Sequence, residues 1–200
     1  MTPTYSTLIS IEQLSSLQAA TAPLVLLDCS FDLADPAAGE RAHAASHLPG
    51  SFYAHLDRDL AGAKTGRNGR HPLPAREAFA ATVGRWGIAP GTQVVCFDAQ
   101  GLPYAARAWW MLHWLGHRAA AVLDGGLAAW TGSGRPLSTE PASTTDRGPY
   151  PASSDTMPTV SEMRAPYNTR VKISRPCESV PNQNWALGGI CEFIRSASST

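Results

Sequence analysis

One position in this chain combines a reactive side chain with a place in the sequence where chemistry is usually done. Asp98 follows the apolar run 94–97, which predicts a buried strand, and precedes a short Gly/Pro loop and an aromatic-rich helix pattern. In α/β proteins the loop between a strand and the next helix gathers free backbone N–H groups, so ligands and nucleophiles often lie there. Asp98 can bind a partner, orient it or take a proton, but a carboxylate is a poor nucleophile for most reactions. The chemistry open to this chain on its own is therefore limited.

A second group of candidate residues lies in the long irregular loop 55–74. Asp59 and His71 flank a basic stretch there, and a carboxylate that orients an imidazole is a usual proton-handling pair. The basic residues that could attract an anionic ligand are Lys64, Arg67 and Arg70. A solvated loop with an incidental histidine is the alternative interpretation. Arg107, early in the helix pattern that follows, is predicted to brace the Asp98 loop rather than to bind substrate.

The four cysteines do not form a reactive or metal-binding pattern. They are Cys29, Cys96, Cys177 and Cys191, and none has CxxC spacing, so zinc and dithiol redox sites have little support. Cys29 and Cys96 belong to apolar strand patterns and are predicted to be small buried hydrophobic residues. Cys96 lies two residues before the Asp98 loop, so its side chain is expected to point into the core. We expect no metal ion, no cofactor and no disulfide.

Alternating strand and helix patterns surround these residues and must position them. Ser10 begins the first helix pattern, and Gln13 completes a capping box three residues later. Strands are predicted at 24–27, 51–53, 93–97 and 119–123, and further helices at 40–45, 75–86, 104–115 and 127–132. Strands that alternate with helices predict an α/β fold with a mostly parallel sheet and helices on both faces.

Composition narrows the class of protein. Of the 200 residues, 44% are hydrophobic and only 16% are charged, which is typical of a globular chain with a core. Sixteen basic and sixteen acidic residues balance, so no net charge points to nucleic acid as a partner. No apolar run approaches the roughly 20 residues that cross a bilayer, and the first residues lack a secretory signal pattern. We therefore expect a cytoplasmic protein without a membrane partner.

A likeness to a known family rests on four segments that occur in family order and at roughly family spacing. They are LVLLDCS (24–30), SHLPGSFYAHLDRDL (46–60), VVCFDAQGLPYAARAWWMLHWLGH (94–117) and VLDGGLAAW (122–130). With these segments the chain resembles the rhodanese family, specifically the N-terminal, non-catalytic domain of its two-domain thiosulfate or 3-mercaptopyruvate sulfurtransferases. The resemblance implies a rhodanese-like domain over residues 5–140 and a linker over 141–158.

The resemblance also implies a reaction and a missing residue. In the family a cysteine at a strand end takes sulfane sulfur from a small anionic donor, holds it as a persulfide and passes it to a thiophilic acceptor. Nearby N–H groups lower the pKa of that thiol and stabilise the persulfide. Asp98 takes the cysteine's place here, as an internal anion for the same N–H groups. The chain is therefore expected to be inactive without a catalytic domain, or else to be a non-catalytic binding module.

A cysteine-phosphatase function, suggested by the family's fold, is excluded by the same loop. That chemistry needs a cysteine and, six positions later, an arginine that clamps the phosphoryl oxygens. The two positions hold Asp98 and Tyr104.

Residues 159–200 are predicted to be a remnant or aberrant tail. Residues 158–162 resemble the opening of the family's second domain, and the likeness stops after Met163. The remainder, rich in Ser, Pro and Gly, cannot easily build a core of its own. Neither Cys177 nor Cys191 has a strand, loop and helix around it, so neither is expected to be a nucleophile. Truncation or a frameshift near Met163 is the interpretation that this break favours.

Overall fold

The part of the chain that the structure describes folds into a five-stranded parallel sheet with helices on both faces. The computed structural model describes residues 3–20, 22–143 and 146–153. The strands are β1 Leu8–Ile9, β2 Leu24–Asp28, β3 Ser51–Tyr53, β4 Gln93–Phe97 and β5 Ala120–Leu123, in the spatial order β1-β5-β4-β2-β3. Every pair of neighbouring strands is parallel. The predicted α/β class is confirmed.

In the described ranges five helices connect and cover the strands. They are α1 Ile11–Ala19, α2 Ala38–Ala45, α3 Arg76–Arg85, α4 Pro103–Trp114 and α5 Gly126–Gly132. The predicted capping box is present at α1, where Ser10 and Gln13 exchange side-chain and backbone bonds. α4 begins with a proline, which has no N–H to leave unpaired in the first turn. No helix in the described ranges is long and apolar enough to cross a bilayer.

The order of the strands places the candidate site. β3 lies on one side of β2, whereas β4 and β5 lie on the other, so the chain reverses direction across the sheet between β2 and β4. Their register aligns Asp28 with Phe97, which brings both strand ends to one level. In open parallel sheets ligands bind outside the carboxyl ends of the strands at such a reversal. Asp28 and Asp98 both lie at this point.

β4 supplies side chains to hydrophobic clusters on both faces of the sheet. Val94 and Cys96 belong to the cluster under α3 and α4, and Val95 and Phe97 to the cluster under α1 and α5. All four side chains are fully buried, as expected for a strand covered on both faces. Cys96 therefore points into the core, as predicted. Cys177 and Cys191 lie outside the described residues.

The chain after α5 returns to the domain. Residues 146–153, part of the predicted linker, pack against α3 and α4. Tyr150 is buried, donates its backbone N–H to Ala80 O (2.9 Å), and its hydroxyl lies 3.0 Å from His117 Nδ1. The close approach requires glycine, because a Cβ at Gly84 would collide with Gly148 O. The predicted tail, residues 159–200, lies outside the described residues.

Candidate functional site at the carboxyl edge of the sheet

Asp98 is bonded to the backbone of the loop that follows it. One carboxylate oxygen accepts the N–H groups of Gln100 (3.0 Å) and Leu102 (2.8 Å), and the other accepts those of Tyr104 (3.0 Å) and Ala105 (2.9 Å). The side chain is 1% exposed. An ionised carboxylate only accepts, so it suits four converging donors at a helix N-terminus. This is the internal-anion arrangement that the sequence predicts.

Two neighbouring loops hold the Asp98 loop in place. Gly126, with φ of +56°, lies so close to Asp98 O that a Cβ would collide with it, and the next N–H, of Leu127, bonds that oxygen at 3.0 Å. On the other side Ser30 Oγ accepts the N–H of Ala99 (3.0 Å). Leu102 completes the loop with φ of +93°, a left-handed conformation that costs a leucine free energy. The loop is therefore built around the carboxylate.

No cysteine reaches this loop in the described part of the chain. Cys96 is fully buried in β4, and Cys29 is fully buried after β2. Burial, reinforced by Cys96 and by the charges of Asp28 and Asp98, raises the pKa of the Cys29 thiol well above its ordinary value. Since the thiolate is the nucleophile, this thiol is inert.

Asp28, which the sequence analysis did not select, organises a second cluster at the end of β2. Its carboxylate accepts the N–H of Ser30 (2.9 Å) and lies 3.1 Å from His43 Nδ1. The His43 ring stacks on that of His47, with centroids 4.2 Å apart. His47 also pairs through its backbone with Ser138, so the cluster ties the end of β2 to the chain beyond α5. The sequence signal near this cluster is the turn pattern His47-Leu48-Pro49-Gly50, which does not point to Asp28.

The histidine of the long loop is paired with a different carboxylate from the one predicted. His71 Nδ1 lies 3.1 Å from Asp57 Oδ1, whereas Asp59 Oδ2 accepts the backbone N–H of His55 at 2.9 Å. The predicted Asp59–His71 pair is therefore wrong. The reason is local: Asp59 is turned back to cap the tight turn that begins at His55, which leaves the outward-facing Asp57 for the histidine.

Asp57 contacts a lysine in addition to His71. Lys64 Nζ lies 2.8 Å from the same oxygen, Oδ1. Burial opposes ionisation of Asp57, but its bonds to Lys64 and His71 outweigh that effect and hold the pKa of Asp57 below its ordinary value. Burial lowers the pKa of His71 more than Asp57 raises it. His71 Nε2 is buried without a hydrogen-bond partner among the described residues.

Arg107 braces the long loop and not the Asp98 loop. Its guanidinium donates to the carbonyl oxygens of Leu60 (2.9 and 3.0 Å), His71 (2.9 Å) and Pro72 (3.3 Å). The predicted contact between Arg107 and the Asp98 loop is therefore wrong. Arg107 instead binds the carbonyl groups of three residues that lie 35 to 47 positions away in sequence. Through Arg107, helix α4 holds both ends of the 60–72 loop. Arg67 and Arg70 within it are exposed.

Fold and site define a class: a parallel α/β domain whose strand-end loop forms an anion cradle, here occupied by the domain's own carboxylate. The family model described as "Rhodanese-like domain" matches residues 10–133. The chain belongs to the rhodanese family.

The chain matches part of the length of several curated sulfurtransferases. A probable 3-mercaptopyruvate sulfurtransferase of Pseudomonas aeruginosa is 44% identical over 132 residues, which are 65% of this chain and 46% of that protein. The 3-mercaptopyruvate sulfurtransferase of Homo sapiens is 41% identical over 121 residues, 58% of this chain and 39% of the other. The chain thus spans less than half the length of these relatives.

A solved structure shares the fold. A 3-mercaptopyruvate sulfurtransferase from Leishmania major superposes with a TM-score of 0.67 at 24% identity, covering 76% of this chain and 42% of the other.

Proposed function

We propose that this chain is the non-catalytic half of a sulfurtransferase that moves sulfane sulfur from thiosulfate or 3-mercaptopyruvate to a thiophilic acceptor. In this proposal the nucleophilic cysteine belongs to a second rhodanese-like domain, and the chain on its own transfers no sulfur. The names of the relatives support the reaction, and the share of their length that the chain covers supports the division into two halves.

The observation that best supports this proposal is the set of hydrogen bonds made by the Asp98 carboxylate. A persulfide intermediate needs a thiolate among the free N–H groups of the strand-end loop. Here both oxygens of Asp98 already accept four of those N–H groups, at 2.8 to 3.0 Å. The loop still gathers the N–H groups that stabilise a negative charge. It has no nucleophile, however, and none of these four N–H groups is free to bind a substrate.

The long loop supplies accessory chemistry in this proposal. Asp57 orients the His71 ring through Nδ1, which leaves the Nε2 lone pair available as a base. In a complete enzyme this atom would take a proton from a donor group outside the described residues. Its present lack of a partner favours such a use, because a buried unpaired nitrogen is costly.

The test is sulfur transfer measured with and without a catalytic half. The purified chain is given thiosulfate and cyanide, or 3-mercaptopyruvate and a thiol, and thiocyanate or pyruvate is measured. We expect no turnover above the buffer blank, and turnover after addition of a separately produced cysteine-bearing half from a relative. The expectation is that His71→Gln lowers the activity of the mixture, whereas Arg41→Gln, an exposed control in α2, does not.

Two results would contradict the proposal. Thiocyanate production by the chain alone, abolished by Cys96→Ser, would place the nucleophile in this domain. Saturable binding of a partner without activity in any mixture would instead favour a binding module.

A further inference from the structure

The imidazole of His55 is locked in a single tautomer by the turn that it begins. Its Nδ1 accepts the backbone N–H groups of Asp57 (3.1 Å) and Arg58 (3.3 Å). A nitrogen that accepts carries no proton, so the ring proton is on Nε2. In this arrangement the ring presents one N–H donor, at Nε2.

The backbone of the same residue is fixed as well. His55 N–H donates to Asp59 Oδ2 (2.9 Å), and His55 O accepts the N–H of Asp59 (2.8 Å) and of Leu60 (3.3 Å). His55 thus caps the turn 55–60 with its ring Nδ1 as well as with its backbone.

Two aromatic contacts set the direction of the ring. It meets Phe31 edge-on with centroids 5.4 Å apart, and Tyr53 edge-on at 5.9 Å. Tyr104 also packs edge-on against Phe31, at 5.7 Å. The Nε2 of His55 and the hydroxyl of Tyr104 have no partner in the described portion, and neither is among its buried unpaired atoms. One N–H donor and one O–H donor therefore remain available around the buried Phe31.

The surroundings favour an anion. Residues 55–71 carry four basic side chains and two acidic ones, a net charge of +2. The two acidic side chains also bind two of the basic ones, Asp57 to Lys64 (2.8 Å) and Asp59 to Arg58 (3.4 Å), so the net charge of the segment is that of the exposed Arg67 and Arg70. The two arginines attract anions, and the N–H and O–H donors then bind the oxyanion itself.

We propose that His55 is a binding residue for the oxyanion end of the sulfur donor, and that the 55–60 turn presents its Nε2–H as the donor. This inference rests on the proposed function for the identity of the ligand. The shared chemistry is a small oxyanion, which is the sulfonate of thiosulfate or the carboxylate of a 2-oxo acid. Tyr104 is the second donor to the same group.

The matched variant is His55→Asn. The Oδ1 of asparagine occupies the place of Nδ1 and caps the turn, but asparagine lacks the Nε2–H donor. Tyr104→Phe removes the second donor while it keeps the ring against Phe31. Both variants are expected to unfold at the wild-type temperature.

The experiment uses the full chain and two measurements by NMR. Long-range proton–nitrogen spectra give the tautomer of His55, and titrations with thiosulfate and with pyruvate, at constant ionic strength set by chloride, give the dissociation constants. We expect the Nε2–H tautomer, saturable shifts of the His55 ring with at least one probe, and a Kd about tenfold weaker in His55→Asn, the loss of one hydrogen bond to a charged group.

An Nδ1–H tautomer, absence of binding by both probes, or an unchanged Kd in His55→Asn would each overturn the inference. The tautomer is read in the wild-type chain, so the result stands even if a variant fails to fold. Activity of the mixture of two halves is measured separately. Failure of the proposed function would abolish that activity, whereas failure of this inference would leave it intact.

Discussion

Asp98→Ala is expected to destabilise the domain strongly although it removes no apolar packing. The substitution deletes the acceptor of four N–H groups. Two of them, those of Leu102 and Ala105, form buried bonds and cannot turn to water. Each buried N–H without an acceptor costs about 1–3 kcal/mol, so the pair costs about 2–6 kcal/mol.

Two further effects narrow this estimate of the loss in the free energy of unfolding. The N–H groups of Gln100 and Tyr104 are only partly buried and can bind water, so they contribute little. In the variant Leu102 can leave its left-handed conformation, at φ +93°, and the relief of this strain offsets about 1 kcal/mol of the loss. A net loss of about 3 kcal/mol in the free energy of unfolding remains. Asp98→Asn keeps one acceptor oxygen and should lose about half as much.

The assay is urea unfolding followed by tryptophan fluorescence, with Asp124→Asn as the matched control. Asp124 likewise follows a strand, β5, but is exposed, so its variant should lie within about 0.5 kcal/mol of wild type. If Asp98→Ala costs less than about 1 kcal/mol, the carboxylate does not hold the loop. The argument for an internal anion would then fail.

Three further predictions concern stability. Gly126→Ala should cost about 2 kcal/mol or more, because its Cβ would collide with Asp98 O and its φ is +56°. Burial lowers the pKa of His113 to about 4, so the unfolded chain binds a proton that the folded chain rejects. Stability should therefore fall as the pH drops from about 6.5 to 4, by about 3 kcal/mol from this residue. Ending the chain after residue 140 instead of 153 should cost about 3 kcal/mol, since the buried Tyr150 is lost.

Each of these has a control. Gly132→Ala, at the open end of α5 with no atom near a Cβ, should not destabilise, and an equal loss at both glycines would contradict the collision. His113→Gln should flatten the pH dependence of unfolding measured by urea titration, and identical profiles would refute the assignment. Thermal melts compare the two chain lengths, and equal midpoints would show that residues 146–153 add nothing.

Local sequence was enough to predict the secondary structure near the site. Uninterrupted apolar runs identified β2 and β4, and the capping box at Ser10 identified the start of α1. β1 was missed because two residues carry no pattern of their own. It forms a strand only because β5 offers it an edge.

The sequence by itself determined that Asp98 lies among the N–H groups of a strand-end loop, because a strand, a glycine-containing loop and a helix follow one another there. It could not determine which carboxylate meets His71, since Asp57 and Asp59 differ by two residues and only the fold of the 55–60 turn separates them. Nor could it place Arg107, whose acceptors lie 35 to 47 residues away. The tertiary structure decided these contacts, because backbone carbonyls have no sequence signature and become a binding site only when the loop is closed around a charge.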